Sequence, residues 1–138
     1  MAEELVELTI DGVAVAVPKG TLIVEAAKKA GVDIPVFCYH PKLTPVGACR
    51  ICLVQIEPTT RLQAACTTPV APGMVIHTQN NLAREGRESV LEFMLANLDW
   101  EFLAAPPGEV RATLIYLRRS VSRHSHSENR APMLRCLR

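Results

Sequence analysis

The chain has 138 residues, of which 49% are hydrophobic and 21% charged, with a formal net charge of +1. That length suits one domain with a real core and an appendage, and is short for two. A charge so near zero gives no global field for nucleic acid or an anionic membrane, and 4% aromatic residues leave few platforms for stacking single-stranded bases.

The first residues, Met1-Ala2-Glu3-Glu4-Leu5, lack the basic region and apolar run of a signal peptide, so a reducing cytoplasm is expected. No apolar run approaches the span of a bilayer, so no direct membrane insertion is expected and any membrane association would come through partners. From Leu5 to Ile10, Val6, Leu8 and Ile10 alternate with Glu7 and Thr9. After Asp11-Gly12 the alternation resumes at Val13, Val15 and Val17. This predicts a β-hairpin closed by an Asp-Gly turn. Pro18-Lys19-Gly20 breaks the second strand. Leu22 to Ala30 then carries Leu22, Ile23, Ala26, Ala27 and Ala30 on a helical stripe, with Thr21 placed to cap the helix and Gly31 to end it. Pro35 keeps the next segment extended into a loop from Cys38 to Arg50. Short strands are predicted at Ile51–Ile56, Arg61–Ala65 and Met74–His77, separated by turns at Thr67 to Pro69 and at Pro72-Gly73. The order ββαβββ defines an α+β domain whose helix covers one face of a sheet. Beyond it, Val90, Leu91, Met94, Leu95 and Leu98 recur at helical spacing and predict an amphipathic helix over 81–98.

Four of the five cysteines, Cys38, Cys49, Cys52 and Cys66, are spaced C-x10-C-x2-C-x13-C. The pattern points to an iron–sulfur cluster, because a [2Fe–2S] core needs four sulfurs converging from a long loop and a more distant strand end. Cys49 and Cys52 stand in Gly-Ala-Cys-Arg-Ile-Cys, where a C-x2-C step presents two sulfurs from one turn. Gly47 offers a position without a side chain, where backbone N–H groups can approach the sulfides and tune the reduction potential. Plant-type ferredoxins space their first ligands C-x4-C-x2-C, so the first gap is longer here. A structural zinc site would favour two close cysteine pairs, and only one is present. A disulfide framework fits a reducing compartment poorly. Cys38-Tyr39-His40 mimics half of a Rieske site, but no histidine stands near Cys52. His40 is therefore read as a loop residue, His77 as a solvent-facing strand residue and Cys136 as an incidental thiol. Arg50, between two candidate ligands, is read either as a charge that raises the potential or as a surface arginine.

Gly-Thr-Leu-Ile-Val-Glu-Ala-Ala, the four cysteines and Pro-Val-Gly-Ala-Cys-Arg-Ile-Cys-Leu-Val closely resemble the N-terminal [2Fe–2S] ferredoxin-type domain of one family, the large iron–sulfur subunits of NADH:quinone oxidoreductase, or respiratory complex I. Similar domains begin iron-only hydrogenases, NAD-linked formate dehydrogenases and the diaphorase-side subunits of NAD-reducing hydrogenases. The resemblance covers about residues 4 to 98 and implies a β-grasp fold, with a [2Fe–2S] ferredoxin-type domain at 1–79 and the amphipathic helix at 80–98. In that family the helix leads into a His-Pro step and three cysteines that hold a [4Fe–4S] cluster with the histidine. Here Asn97 is followed by Leu98-Asp99-Trp100, so one [2Fe–2S] cluster and no [4Fe–4S] cluster is expected.

Residues 99–138 have no match in the family. All four lysines precede residue 43, whereas residues 111–138 hold seven arginines. Arg118, Arg119 and Arg123 can be read as a basic patch for a phosphate-bearing partner, but a disordered, solvated tail is the expectation. The abrupt change in composition also raises the reading of a shifted frame or a truncated gene.

Taken together, the sequence reads as a one-electron carrier with no acid, base or nucleophile of its own and no Rossmann glycine motif. The resemblance implies other subunits of an NADH-oxidising complex as partners, a flavin- and NADH-binding subunit among them, with electrons running towards quinone. The alternatives are the electron-transfer module of an NAD-linked hydrogenase or formate dehydrogenase, and a structural metal-binding module without redox turnover. The helix stripe is expected to serve as a docking surface, because a lone β-grasp domain does not need it.

Overall fold

The computed structural model describes residues 4–97. Leu98, the tail of 99–138, His124 and Cys136 lie outside them. Five strands and two helices follow in the order β1 (Leu5–Ile10), β2 (Val13–Pro18), α1 (Ile23–Lys29), β3 (Leu53–Ile56), β4 (Leu62–Ala64), β5 (Val75–His77) and α2 (Asn81–Ala96).

The opening alternation becomes an antiparallel hairpin in which Ile10 pairs with Val13 and Leu5 with Pro18. Asp11 and Gly12 turn it with φ of 47° and 84°, the two left-handed positions of a type I′ turn. Asp11 also accepts hydrogen bonds from the Thr78 backbone N–H, at 2.7 Å, and from the Thr78 hydroxyl, so the turn is tied to the end of β5. β1 pairs in parallel with β5, and β3 pairs antiparallel with both β5 and β4, giving the sheet order β2-β1-β5-β3-β4.

Val6, Leu8 and Ile10 face a core that α1 completes with Ile23, Val24, Ala26 and Ala27, joined by Val54, Ile56 and Ile76. On β2 the expected inward face is only partly buried, with Val17 at 0% exposure and Val13 at 45%. The helix has 7 residues, a length of about 10 Å, too short to cover the far end of the hairpin.

Thr21 does not cap α1. Its hydroxyl donates to the Pro18 carbonyl at 2.6 Å, and the helix N-terminus has no side-chain cap. The free N–H groups of Ile23 and Val24 instead donate to the carbonyls of Thr68 and Ala65, at 3.0 and 3.1 Å. This straps the segment that carries Cys66 onto the helix. Gly31, with φ of 75°, follows the last turn as expected.

α2 lies against β3 and β4. Asn80 caps it, its side-chain oxygen accepting from the Ala83 N–H at 2.9 Å while its amide donates to the Gln55 side chain. At Gly86 the approach is so close that a Cβ would clash with a Leu62 methyl. Further along, Leu91 and Ile51 are buried together, with Cys49, Val90 and Met94 packed around them. Leu91 is therefore core, and Val90 and Met94 are partly covered by the chain's own loop, which leaves less of the stripe for a partner than expected. The exposed large apolar side chains described on α2 are Leu82 and Phe93, both outside the predicted stripe.

Candidate metal centre

Between α1 and β3 the chain forms no regular element through the Cys38–Cys52 loop. Side-chain and turn chemistry give the loop its shape. The Tyr39 hydroxyl donates to Glu25 of α1 at 2.5 Å, and the Lys28 ammonium bonds the same carboxylate at 3.4 Å while lying 5.7 Å from the Tyr39 ring centre. The loop is thus pinned one residue after Cys38. His40 is exposed and its Nδ1 accepts from the Lys42 N–H at 3.2 Å, a turn contact. His77 is half-exposed and bonds Glu57 at 2.7 Å.

At the far end of the loop, Gly47 is buried with φ of 66°, and a Cβ there would stand 2.8 Å from the Thr67 methyl. The loop therefore closes directly on the residue after Cys66. Arg50 has φ of 58°, a left-handed position unusual for a residue with a side chain, and this curls the Cys49–Cys52 step into a turn. Arg50 itself is exposed. Ala65 donates to the Cys52 carbonyl at 3.0 Å, which joins the strand after Cys52 to the one before Cys66.

All four cysteines are free and fall into two pairs. Cys38 and Cys49 are half-buried, and the Cys49 backbone N–H donates to the Cys38 sulfur at 3.5 Å. Cys52 and Cys66 are each 1% exposed. Burial works against charge on Cys38, but donation from the Cys49 backbone and thiol and from the Ala48 N–H outweighs it and lowers that thiol. Burial pushes the Cys49 thiol up. It pushes Cys66 to about 12, helped by the Cys52 thiol and by the charges of Cys52, Cys38 and Cys49. The four sulfurs are thus close enough to oppose one another's ionisation. Among the described residues no three or more His, Cys, Asp or Glu side chains gather as they would around a single ion. Two pairs of thiols, one outer and one inner, suit a binuclear core that carries positive charge to ionise them all.

The structure places the expected site residues Cys38 and Cys49 on the loop, in contact through the Cys49 N–H and the Cys38 sulfur, and Cys52 and Cys66 in buried positions just before β3 and just after β4, while Cys136 lies outside the described residues. Sequence reasoning missed Glu25 and Thr67, whose roles depend on contacts between distant segments. It also missed Arg87, which a helical wheel through Ala83 and Leu91 would have placed on the inward face.

A mixed five-stranded sheet packed on a short helix, with three free cysteines on one loop and a fourth after β4, is a [2Fe–2S] ferredoxin-like α+β domain. Residues 3–81 match the family described as "2Fe-2S iron-sulfur cluster binding domain", and the chain belongs to that family. It is 50% identical over 92 residues to the mitochondrial NADH-ubiquinone oxidoreductase 78 kDa subunit of Neurospora crassa, a match covering 67% of this chain and 12% of that one. It is 45% identical over 95 residues to the mitochondrial NADH dehydrogenase [ubiquinone] iron-sulfur protein 1 of Solanum tuberosum, covering 69% of this chain and 13% of the relative. Among solved structures, a chain of an NAD+-reducing [NiFe]-hydrogenase in the H2-reduced state superposes with a TM-score of 0.60 at 32% identity, covering 66% of this chain and 38% of that one. The chain thus spans about an eighth of the length of these curated relatives.

Proposed function

We propose that this chain passes single electrons through one [2Fe–2S] cluster held by Cys38 and Cys49 on the outer side and by Cys52 and Cys66 on the inner side. The observation that carries the reading is that four free thiols, two of them almost wholly buried, stand on one loop and one strand end inside the residues that match the [2Fe–2S] family. Bound there, the cluster supplies a one-electron couple. The chain's own residues do the rest. The thiolates bind it, the Cys49 and Ala48 N–H groups face the Cys38 sulfur, and Ile51 with Leu91 excludes water from one side.

The partners we infer are other subunits of an NADH-oxidising complex, with a flavin- and NADH-binding subunit on the donor side and an acceptor leading towards quinone. Relatives named as components of NADH-ubiquinone oxidoreductase and of NADH dehydrogenase [ubiquinone] support this assignment. Among the described residues no helix is long and apolar enough to cross a membrane, so in this reading attachment to one comes through those subunits.

Anaerobic purification tests the proposal. A brown protein with about two irons and two sulfides per chain, whose visible bands bleach with dithionite as a paramagnetic signal rises, is the expected result. A colourless protein holding zinc would mean that the thiols serve a structural metal.

A further inference from the structure

Arg87 is the only charged side chain buried among the described residues, with 3% of its surface exposed. Burying a guanidinium costs several kcal/mol unless charge nearby offsets it. Its Nε donates to the Ala83 carbonyl at 3.1 Å and its Nη2 to the Thr78 carbonyl. Among the described residues no carboxylate stands within ion-pairing distance of it. Two carbonyl oxygens satisfy some of its N–H groups but do not neutralise its charge.

Two elements link Arg87 to the segment that carries Cys52. Arg87 is one helical turn before Leu91, which packs on Ile51, the residue preceding Cys52. Thr78, its carbonyl anchor, lies just beyond the β5 register that pairs His77 with Gln55 of β3, and β3 starts one residue after Cys52. Asn80 is bonded back to Gln55, which holds this junction closed. The groups whose charges reach Arg87 are Asp11 and Cys52, which attract it, and Arg84, which repels it.

We propose that Arg87 is a positioning charge for the redox centre: a fixed cation on the inner, Cys52 side that raises the reduction potential by offsetting the electron the cluster accepts. This rests on the ligand assignment above. One electron enters from a one-electron donor such as dithionite, no bond forms or breaks, and no proton moves through Arg87. Arg50 is adjacent to two ligands in sequence, but it is exposed, and water screens its charge. Nearness in the chain is the weaker guide here, and burial on a neighbouring helix the stronger.

The test is a redox titration of the cluster-loaded chain, read from the paramagnetic signal and paired with an iron count. Arg87→Gln should lower the reduced-to-oxidised ratio at fixed potential about tenfold, a shift of about 59 mV for a one-electron couple. Arg87→Lys should recover most of that shift, and Arg50→Gln should move the potential far less. A fully loaded Arg87→Gln with an unchanged potential overturns the proposal. So does an equal fall in Arg87→Lys and Arg87→Gln, because the effect would then be one of packing. If Arg87→Gln does not hold iron, Asp11→Asn decides. The asparagine keeps the acceptor for the Thr78 N–H but removes the anion competing for Arg87, so the potential should rise, and an unchanged or lower value overturns the proposal. Failure of the unmutated chain to bind iron would instead refute the ligand assignment, which separates the two readings.

Discussion

Leu91 of α2 and Ile51 of the Cys49–Cys52 turn are buried against each other, at 5% and 0% exposure. Through this contact a helix sixteen residues long, which adds nothing to the sheet, supports the turn that presents two candidate ligands. Leu91→Ala should cost about 2–4 kcal/mol through lost burial and the cavity left behind. The cavity opens beside Cys49 and Cys52, so a chelator should strip iron from the variant faster than from the unmutated chain. Denaturant unfolding and the rate of iron release measure the two effects. Loss of stability with unchanged release would mean that α2 supports the sheet and not the turn.

The paired arrangement makes the four cysteines unequal. Each change to serine should abolish or strongly reduce cluster binding, because a hydroxyl is a poorer ligand for the core. In iron-free protein the outcomes should divide. Cys38→Ser and Cys49→Ser place the hydroxyl where water reaches it and should leave the fold near its original stability. Cys52→Ser and Cys66→Ser bury a hydroxyl in positions 1% exposed and should cost about 1–3 kcal/mol. Cys136→Ser should leave iron content intact. Equal iron in all five variants would refute the assignment, and equal iron-free stability would refute the outer and inner division.

What the sequence made legible were the features written in local periodicity and spacing. The hairpin follows from Val6, Leu8 and Ile10 with Asp11-Gly12, α1 from its alanine-rich stripe, and the candidate centre from the cysteine spacing. Thr21 misled because a local cap competes with backbone carbonyls from a distant segment, and Thr68 and Ala65 take its place. The α2 stripe was legible, but its cover was not. An apolar stripe announces that something covers it, but whether the cover is Ile51 or a partner depends on how the loop folds back. Arg50 drew attention as a neighbour of the ligands, while Arg87, distant in sequence, is the cation that folding buries.

Gly47 supplies a close contact that no other residue accommodates. Its φ of 66° is costly for a residue with a side chain, by about 1–2 kcal/mol, and an added Cβ would press on the Thr67 methyl at 2.8 Å. Gly47→Ala should therefore destabilise the folded chain by about 2 kcal/mol or more and push the ligand loop off the Cys66 segment. Gly47→Ala combined with Thr67→Ser removes that methyl and should recover the steric part of the loss while leaving the conformational part. Unfolding curves for the single and double variants separate the two. No recovery in the double variant would show that the Thr67 contact does not matter.

The bond from Tyr39 to Glu25 gives the loop anchor a pH dependence of definite sign. Burial, followed by the hydrogen bond to Glu25 and the charge of that carboxylate, raises the Tyr39 phenol from 10.0 to about 12. The folded form therefore holds this proton more tightly than the unfolded chain does. The associated stability is complete below pH 10 and is lost as the pH rises towards 12. Tyr39→Phe removes the donor and should cost about 1 kcal/mol at neutral pH. The gap between the two proteins should then close above pH 10, where the tyrosine must ionise and face Glu25 as a like charge. An ultraviolet difference titration, with the Tyr39→Phe trace subtracted, isolates this phenol from the second tyrosine of the chain. Ionisation of Tyr39 at the ordinary value, or a stability gap that does not vary with pH, would show that the hydroxyl does not anchor the loop to α1.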